Sequence, residues 1–393
     1  MIKLRGLQSL KPDSKECKPL TASVKKLNTN GDTFSEWTEP TESSTPSSLG
    51  TPIATEETNI GVSGKLTNTF TANWGSASGA TSYIFDLAED ISFTNSVSNY
   101  NNINVGNVVS KNVILDLENK TNNVIDWKFQ DGSGTTISTS TIGSISGSFI
   151  GGSGSQWVSS LISSDSYSID FSGSNYISTS ATTTSITGDF TIRAVIRFEI
   201  GDRASKSFHP IIAKWNSAIL DSQSNHWIAE YVPSTNKLYL YIYDSTDNSS
   251  NYNMRYYQAT CPTINEGEDY IFQLAFKLID PSNSNLNTCE ICVNGTKLTG
   301  GFWTNSRIGF TNISSVKNNN YPIEVCSYND GSTRYYGKYR MARVRIDSVF
   351  LTEDDALRDA KNLGIISQEL YYRIKATNGV DTSPYSNIIT VNK

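Results

Sequence analysis

Apolar and polar residues alternate in many short segments of this 393-residue chain. The pattern is clear near the end, at residues 370–391, where Leu370 and Tyr372 begin an alternating run that turns at Asn378-Gly379 and then resumes. A period of two residues and an Asn-Gly turn are typical of a β-hairpin. Because a single hairpin cannot bury a hydrophobic core, we expect these two strands to complete a larger sandwich.

Candidate partner strands lie far upstream, in residues 51–117. In TFTANW, Phe70 and Trp74 share one face of a predicted strand, and YIFDLAED alternates in the same way. The stretch FTANWGSASGATSYIFDLAED resembles bacterial and phage fibronectin type III domains, and LYYRIKA resembles the sixth strand of that family. The resemblance implies a Greek-key sandwich built from residues 51–117 and 367–393, with Trp74 and Tyr372 in a common core.

The intervening residues, 118–366, contain further strand patterns. Leu238 and Leu240, for example, alternate with more polar residues. The segments VIDWKFQDGSGTTIS, SYSIDFSGSNYIST and CEICVNGTKL resemble parts of the concanavalin-A-like and laminin-G-like jelly roll. The resemblance implies an all-β chain in which a lectin-like jelly roll is inserted between the fifth and sixth strands of the fibronectin-like sandwich.

Residues 1–50 are predicted to form an N-terminal arm and linker. The stretch ASVKKLNTNGDTFSEWTEP resembles the last hairpin of another fibronectin-like repeat, and residues 41–52 have the Ser, Thr and Pro content of a linker. Too few residues precede this hairpin to supply the other strands of a repeat. Two interpretations are equally favoured, namely strand addition to a partner chain and packing on the same chain.

The charge balance disfavours two classes of partner. The chain has 32 Lys and Arg against 38 Asp and Glu, which gives a net charge of -6, and it has no long basic run. We therefore expect no nucleic-acid binding, since neutralising phosphates requires clustered cations. No apolar run is long enough to span a bilayer, and the first residues lack the apolar segment of a secretory signal, so neither membrane insertion nor secretory export is expected.

Residues with catalytic chemistry are few and scattered. The two histidines, His209 and His226, have no nucleophile or metal-ligand partner at a characteristic spacing. Cys289 and Cys292 lie three residues apart in a predicted strand, so their thiols point to opposite faces. No cluster of paired carboxylates suggests glycoside hydrolysis. These observations favour a protein that is not an enzyme and has no cofactor.

Two kinds of binding site stay open at the level of the sequence. Laminin-G-like relatives often bind calcium, and Asp244 and Asp247 are weak ligand candidates that could equally be solvated turn residues. Trp303, Tyr256 and Tyr257 are candidates for stacking against sugars, with packing inside the sandwich as the alternative.

These expectations combine into one functional hypothesis. The resemblance to phage domains and the missing export signal favour a structural protein of a tailed-bacteriophage virion, made in the host cytoplasm. In this hypothesis the protein is a head decoration or fibre-like component, anchored by its N-terminal arm to other virion proteins, such as capsid protein, as a homo-oligomer. Its lectin-like domain would adhere to surface glycans. The alternatives are a bacterial extracellular glycan-binding adhesin and, with less support, a glycan depolymerase.

Overall fold

The computed structural model describes residues 48–393 except for several short segments. The residues that it leaves out within this range are 62–63, 118–122, 139–144, 153–155, 181–185, 216–224, 244–253, 281–285, 305–312, 314, 317–320 and 331–332. The predicted N-terminal arm, up to residue 47, lies outside the described residues. The described part of the chain is almost entirely β structure, with one α-helix, which confirms the predicted all-β class.

The strands are numbered here in chain order. The first nine are β1 (Ala54–Thr58), β2 (Thr69–Trp74), β3 (Ser82–Ala88), β4 (Ile103–Gly106), β5 (Ser110–Ile114), β6 (Asn123–Trp127), β7 (Thr136–Ile137), β8 (Gly147–Ile150) and β9 (Trp157–Ser159). The next nine are β10 (Tyr167–Ser172), β11 (Tyr176–Thr179), β12 (Phe190–Arg197), β13 (His209–Trp215), β14 (Asn225–Val232), β15 (Lys237–Tyr243), β16 (Met254–Thr260), β17 (Asp269–Asp280) and β18 (Leu286–Val293). The last eight are β19 (Thr296–Lys297), β20 (Gly300–Thr304), β21 (Glu324–Val325), β22 (Ser327–Asn329), β23 (Arg334–Tyr336), β24 (Lys338–Asp347), β25 (Glu369–Thr377) and β26 (Ile389–Asn392).

A smaller sandwich is formed by strands from both ends of the described chain. One sheet has the order β1-β2-β5 and the other the order β26-β25-β3-β4. Trp74, Phe85 and Tyr372 lie in its core, where the ring centroids of Phe85 and Tyr372 are 5.9 Å apart. The Tyr372 hydroxyl also donates a hydrogen bond to the backbone carbonyl of Thr55. Residues on either side of the long intervening segment therefore share one hydrophobic core.

A larger sandwich is formed by the intervening strands. One sheet has the order β19-β18-β17-β12-β24-β10-β9, with β6 also paired to β24, and the other has the order β20-β16-β15-β14-β13-β21-β11-β8-β7. Apolar side chains from alternate positions of both sheets fill the space between them, including Trp127, Phe190, Trp227 and Phe272. Each sheet thus has an inner face that packs on this core and an outer face that does not.

The single α-helix, α1 (Glu353–Asn362), covers the outer face of the sheet that contains β12 and β24. It begins with a capping box between Thr352 and Asp355, which satisfies backbone donors of the first turn. Beneath the helix, the completely buried Arg193 of β12 donates hydrogen bonds to Asp347 and, at 2.6 Å, to Asp359 of the helix. The guanidinium is therefore desolvated but paired with two carboxylates.

The two sandwiches contact each other directly. The Leu66 backbone N–H donates to the Leu161 carbonyl at 2.7 Å, and the Ser163 N–H donates to the Leu66 carbonyl at 3.0 Å. The Asn68 side chain, which is completely buried, donates a hydrogen bond to the Ser164 hydroxyl at 2.8 Å and accepts one from the Ser164 backbone N–H at 3.0 Å. These contacts hold the smaller sandwich at the same side of the larger one as helix α1.

Candidate functional site

The outer face of the sheet that contains β14, β15 and β16 carries a cluster of aromatic side chains. In β15, Leu238, Leu240 and Ile242 belong to the core, so the alternate residues Tyr239 and Tyr241 lie on the opposite face. The backbone of Tyr241 pairs with that of Tyr256 in β16. We call the side chains of Tyr239, Tyr241, Tyr256, Tyr328 and Tyr335 the tyrosine face.

Three of these rings pack side by side in an aromatic platform, in which two rings are near-parallel and the Tyr256 ring is tilted against them by 38° and 41°. The rings of Tyr239 and Tyr241 are almost parallel, at an interplanar angle of 10° and a centroid distance of 5.7 Å. The Tyr256 ring lies 5.4 Å from Tyr241 and 6.1 Å from Tyr239. All three side chains are half-buried. Their phenol edges and faces are therefore partly available to a ligand.

The hairpin of β22 and β23 supplies the rest of the tyrosine face. Tyr328 and Tyr335 stack at 4.9 Å with an interplanar angle of 27°. The Tyr328 ring also contacts Trp215 of β13, with centroids 6.3 Å apart, and Tyr335 contacts Phe208. These contacts fix the hairpin against β13.

A buried glutamate lies at the base of the tyrosine face. Glu230 of β14 is directly opposite Tyr239 in the sheet and is only 2% exposed. Its carboxyl group accepts hydrogen bonds from the hydroxyls of Tyr241 and Tyr328. Burial raises the pKa of Glu230 from its ordinary value of 4.5 to about 7. Burial, followed by the nearby Glu230 charge, also raises the pKa of both tyrosines above their usual range.

One oxygen of this carboxyl group has no hydrogen-bond partner. Among the described residues, nothing donates to Glu230 Oε2, although the atom is removed from solvent. Buried polar atoms are nearly always paired, because losing hydration without a replacement bond is costly. The base of the tyrosine face is therefore an incompletely satisfied polar site.

The structure separates the aromatic residues proposed from the sequence. Tyr256 is part of the tyrosine face, but Tyr257 points the other way and belongs to the core, where it is 8% exposed. Tyr257 is therefore not available for stacking on a sugar. Trp303 lies in β20, where its backbone pairs with that of Tyr256 in β16. The side chain of Trp303 lies outside the described residues. Tyr239 was missed by the sequence analysis, although the alternation in KLYLYIY places it beside Tyr241.

The other candidate residues give no second site. Asp244 and Asp247 lie outside the described residues. Within the described part of the chain, no three His, Cys, Asp or Glu side chains are placed to hold a metal ion. Both ring nitrogens of His209 are hydrogen-bonded to backbone groups, and burial lowers its pKa to about 4. Burial also raises the pKa of the Cys292 thiol to about 12, which makes it unreactive.

A cleft of about 630 Å³ lies between the two sandwiches. Its charged lining residues are largely paired with one another. Asp116 forms an ion pair with Lys128, and Asp126 forms one with Arg345 at 2.8 Å. Because these charges are neutralised within the protein, the cleft is better explained as a junction than as a ligand site.

No described helix is long and apolar enough to cross a membrane.

Comparison with known proteins gives only distant similarities. No protein family and no curated protein matches the chain. Among solved structures, the binding domain of botulinum neurotoxin DC in complex with SialylT is 12% identical, with a TM-score of 0.40 over 62% of this chain and 52% of that chain. The Ruminococcus gnavus IT-sialidase CBM40 bound to α2,3-sialyllactose is 12% identical, with a TM-score of 0.35 over 48% of this chain and 94% of that chain.

A third solved structure is similar at the same level. Domain 4 of AbnA, an extracellular GH43 arabinanase from Geobacillus stearothermophilus, in complex with arabinotriose, is 10% identical, with a TM-score of 0.35 over 61% of this chain and 98% of that chain. The chain spans about half the length of the neurotoxin binding-domain chains that it matches. Similarity at this level assigns no function, so the function is inferred from the tyrosine face itself.

Proposed function

We propose that this protein binds glycans through the tyrosine face. Sugars are recognised by flat aromatic surfaces that contact their C–H groups and by a few polar groups that bond their hydroxyls. The near-parallel rings of Tyr239 and Tyr241, with Tyr256 beside them, supply such a surface. This half-exposed platform is the observation that carries the proposal.

Polar groups for hydroxyl recognition lie at the edge of the same platform. The backbone of Gln258 pairs with that of Tyr239, and the Gln258 side-chain oxygen accepts a hydrogen bond from Lys237 Nζ at 3.2 Å. The phenol groups of Tyr239 and Tyr256 can both donate and accept. A ligand that stacks on the rings would therefore meet donors and acceptors at their rim.

The site supports binding rather than catalysis. Hydrolysis of a glycosidic bond requires two carboxyl groups that flank it. Glu230 is 2% exposed, and Glu324, on the same sheet, is 5% exposed and forms an ion pair with Arg334. Neither carboxyl group is presented as an exposed acid or base. We therefore propose that the protein is not an enzyme.

We also propose that this binding serves adhesion by a phage virion. Support for this setting comes from the sequence resemblance to phage fibronectin-like domains. Mass spectrometry of purified particles would detect the protein if the proposal is right, and its consistent absence from particles would contradict it. Release of reducing sugar from a bound glycan would instead favour the depolymerase alternative.

Glycan binding can be tested with single substitutions on the platform. An array of glycans would identify a ligand, and titration would then compare wild type with Tyr239→Ala and Tyr256→Ala. Because each ring contributes an aromatic contact worth about 1 kcal/mol, we expect each variant to bind roughly fivefold to tenfold more weakly. Tyr371→Ala, in strand β25 of the smaller sandwich, is the matched control and should keep wild-type affinity.

Two results would contradict the proposal. One is wild-type affinity in both platform variants. The other is the absence of any glycan that binds the folded wild-type protein.

A further inference from the structure

We propose that the tyrosine face selects glycans that carry a protonated amino group over neutral glycans with the same backbone. This inference rests on the proposed glycan binding and names the ligand class. It is carried by a buried acidic group in the strand next to the aromatic platform, which accepts a hydrogen bond from a tyrosine of that platform. Glu230 and Tyr241 are the two residues on which the selectivity depends.

Glu230 has no cationic partner among the described residues. Its described neighbours are uncharged, with Pro210 opposite it in β13, Tyr239 opposite it in β15, and hydrogen bonds from Tyr241 and Tyr328. No lysine or arginine of the described residues offsets its charge. A carboxylate removed from water without a counter-ion is unfavourable, so a cation brought close to it is stabilised.

Two cations on the same face, Lys237 and Arg334, have partners other than Glu230. Lys237 is hydrogen-bonded to Gln258 at the edge of the platform. Arg334 forms an ion pair with Glu324, and its guanidinium lies 4.4 Å from the centre of the Tyr176 ring. Both groups are held away from Glu230 by other partners. Among the described residues, the ionised form of Glu230 therefore has no cationic partner.

The carboxyl group of Glu230 is linked to the aromatic rings by a hydrogen bond from Tyr241. The Tyr241 hydroxyl donates a hydrogen bond to Glu230, which increases the electron density of the phenol ring. A cation placed over a tyrosine ring is attracted by this electron density. The Tyr239 and Tyr256 rings, 5.7 and 5.4 Å from Tyr241, extend the surface over which an ammonium group is stabilised. A neutral sugar gains the stacking contact but not this electrostatic attraction.

The carboxyl group of Glu230 also contains an unsatisfied oxygen. Glu230 Oε2 has no donor among the described residues and is shielded from solvent. Because this oxygen is shielded, an ammonium group over the rings acts on the carboxylate through its charge and not through a direct hydrogen bond. The site is thus complementary to an amine in charge.

The experiment compares two probes that differ only at nitrogen. Tetramers of β-1,4-linked glucosamine and of N-acetylglucosamine are titrated into the full-length protein at pH 7 and 0.15 M salt. We expect wild type to prefer the amino tetramer by roughly tenfold, the size of a cation–π contact next to a carboxylate. In Glu230→Gln, and in Tyr241→Phe, the ratio of the two affinities should fall towards one. Glu56→Gln, an exposed glutamate in β1, should keep the wild-type ratio.

Each outcome decides the matter. Equal affinity for the two tetramers, or preference for the N-acetylated one, overturns this inference and leaves the proposed glycan binding intact. A preference that persists in both Glu230→Gln and Tyr241→Phe also overturns it, because the selectivity then arises elsewhere. If Glu230→Gln does not fold, Tyr241→Phe still provides the test. No detectable binding of the amino tetramer overturns the inference too, whereas the platform variants above test glycan binding itself.

Discussion

Replacing Glu230 with glutamine should remove a loss of stability of about 2 kcal/mol that we expect its ionisation to cause between pH 5 and pH 8. Burial at the base of the tyrosine face raises the pKa of Glu230 from 4.5 to about 7. Between these two values the folded state binds more protons than the unfolded state. The free energy of unfolding therefore decreases as the pH rises through this window.

The size of the effect follows from the two pKa values. With an unfolded pKa of 4.5 and a folded pKa of about 7, ionisation of Glu230 destabilises the fold by about 1 kcal/mol at pH 5 and about 3 kcal/mol at pH 8. The expected loss between these conditions is thus about 2 kcal/mol in the wild-type protein. Glutamine has no such ionisation, so its contribution is the same at both pH values.

Urea unfolding at pH 5 and pH 8 measures this difference. We compare the change in the free energy of unfolding between pH 5 and pH 8 in the wild-type protein with the same change in Glu230→Gln. Other groups with shifted pKa values, such as Asp165 at about 6, are present in both proteins and cancel. Glu56→Gln serves as the control, since that glutamate is exposed. A difference below about 0.5 kcal/mol, comparable to ordinary surface substitutions, would refute the reasoning.

Two further substitutions test the scaffold that holds the site. Asp359→Asn removes one of the two carboxylates paired with the completely buried Arg193. We therefore expect urea unfolding to show that the free energy of unfolding falls by about 3 kcal/mol. The control, Asp354→Asn on the exposed side of the same helix, should lower it by less than about 0.5 kcal/mol. Equal effects of the two variants would contradict this. Gly364 has a φ of +74°, and a Cβ there would lie 2.5 Å from the Thr67 carbonyl oxygen, so Gly364→Ala should lower stability by about 2 kcal/mol or more. An unchanged unfolding midpoint would disprove the predicted clash.

The all-β class could be predicted from the sequence because period-two alternation is a local property. The alternation of Leu238 and Leu240 with tyrosines identifies a strand and its two faces. It does not decide which of two adjacent tyrosines faces the core. In MRYYQAT, Tyr256 and Tyr257 are equally suited to either face, because a tyrosine has both an apolar ring and a polar tip. Pairing with β15 decides the matter, since it places Tyr257 opposite Leu240 of the core.

The polar part of the candidate site could not be predicted from local patterns. Glu230 is the single acid in the strand NHWIAEYV, where the other residues from Trp227 onward are apolar or aromatic, and a lone acid of this kind is usually solvent-exposed. Its hydrogen-bond donors come from β15 and from the hairpin of β22 and β23, the latter far along the chain. Only the tertiary structure brings Tyr241 and Tyr328 to the same carboxyl group.

The outer faces of the two large sheets differ in what covers them, and this difference explains their residues. Helix α1 and the junction with the smaller sandwich cover one outer face, where Arg193, Arg343 and Arg345 are each paired with a carboxylate. Buried charges are tolerated there because every guanidinium has a fixed partner. On the opposite outer face, the hairpin of β22 and β23 packs on β13, and strands β15 and β16 beside it present half-buried aromatic rings. The carboxyl group of Glu230, which has no counter-ion among the described residues, is therefore buried among the aromatic side chains of this face.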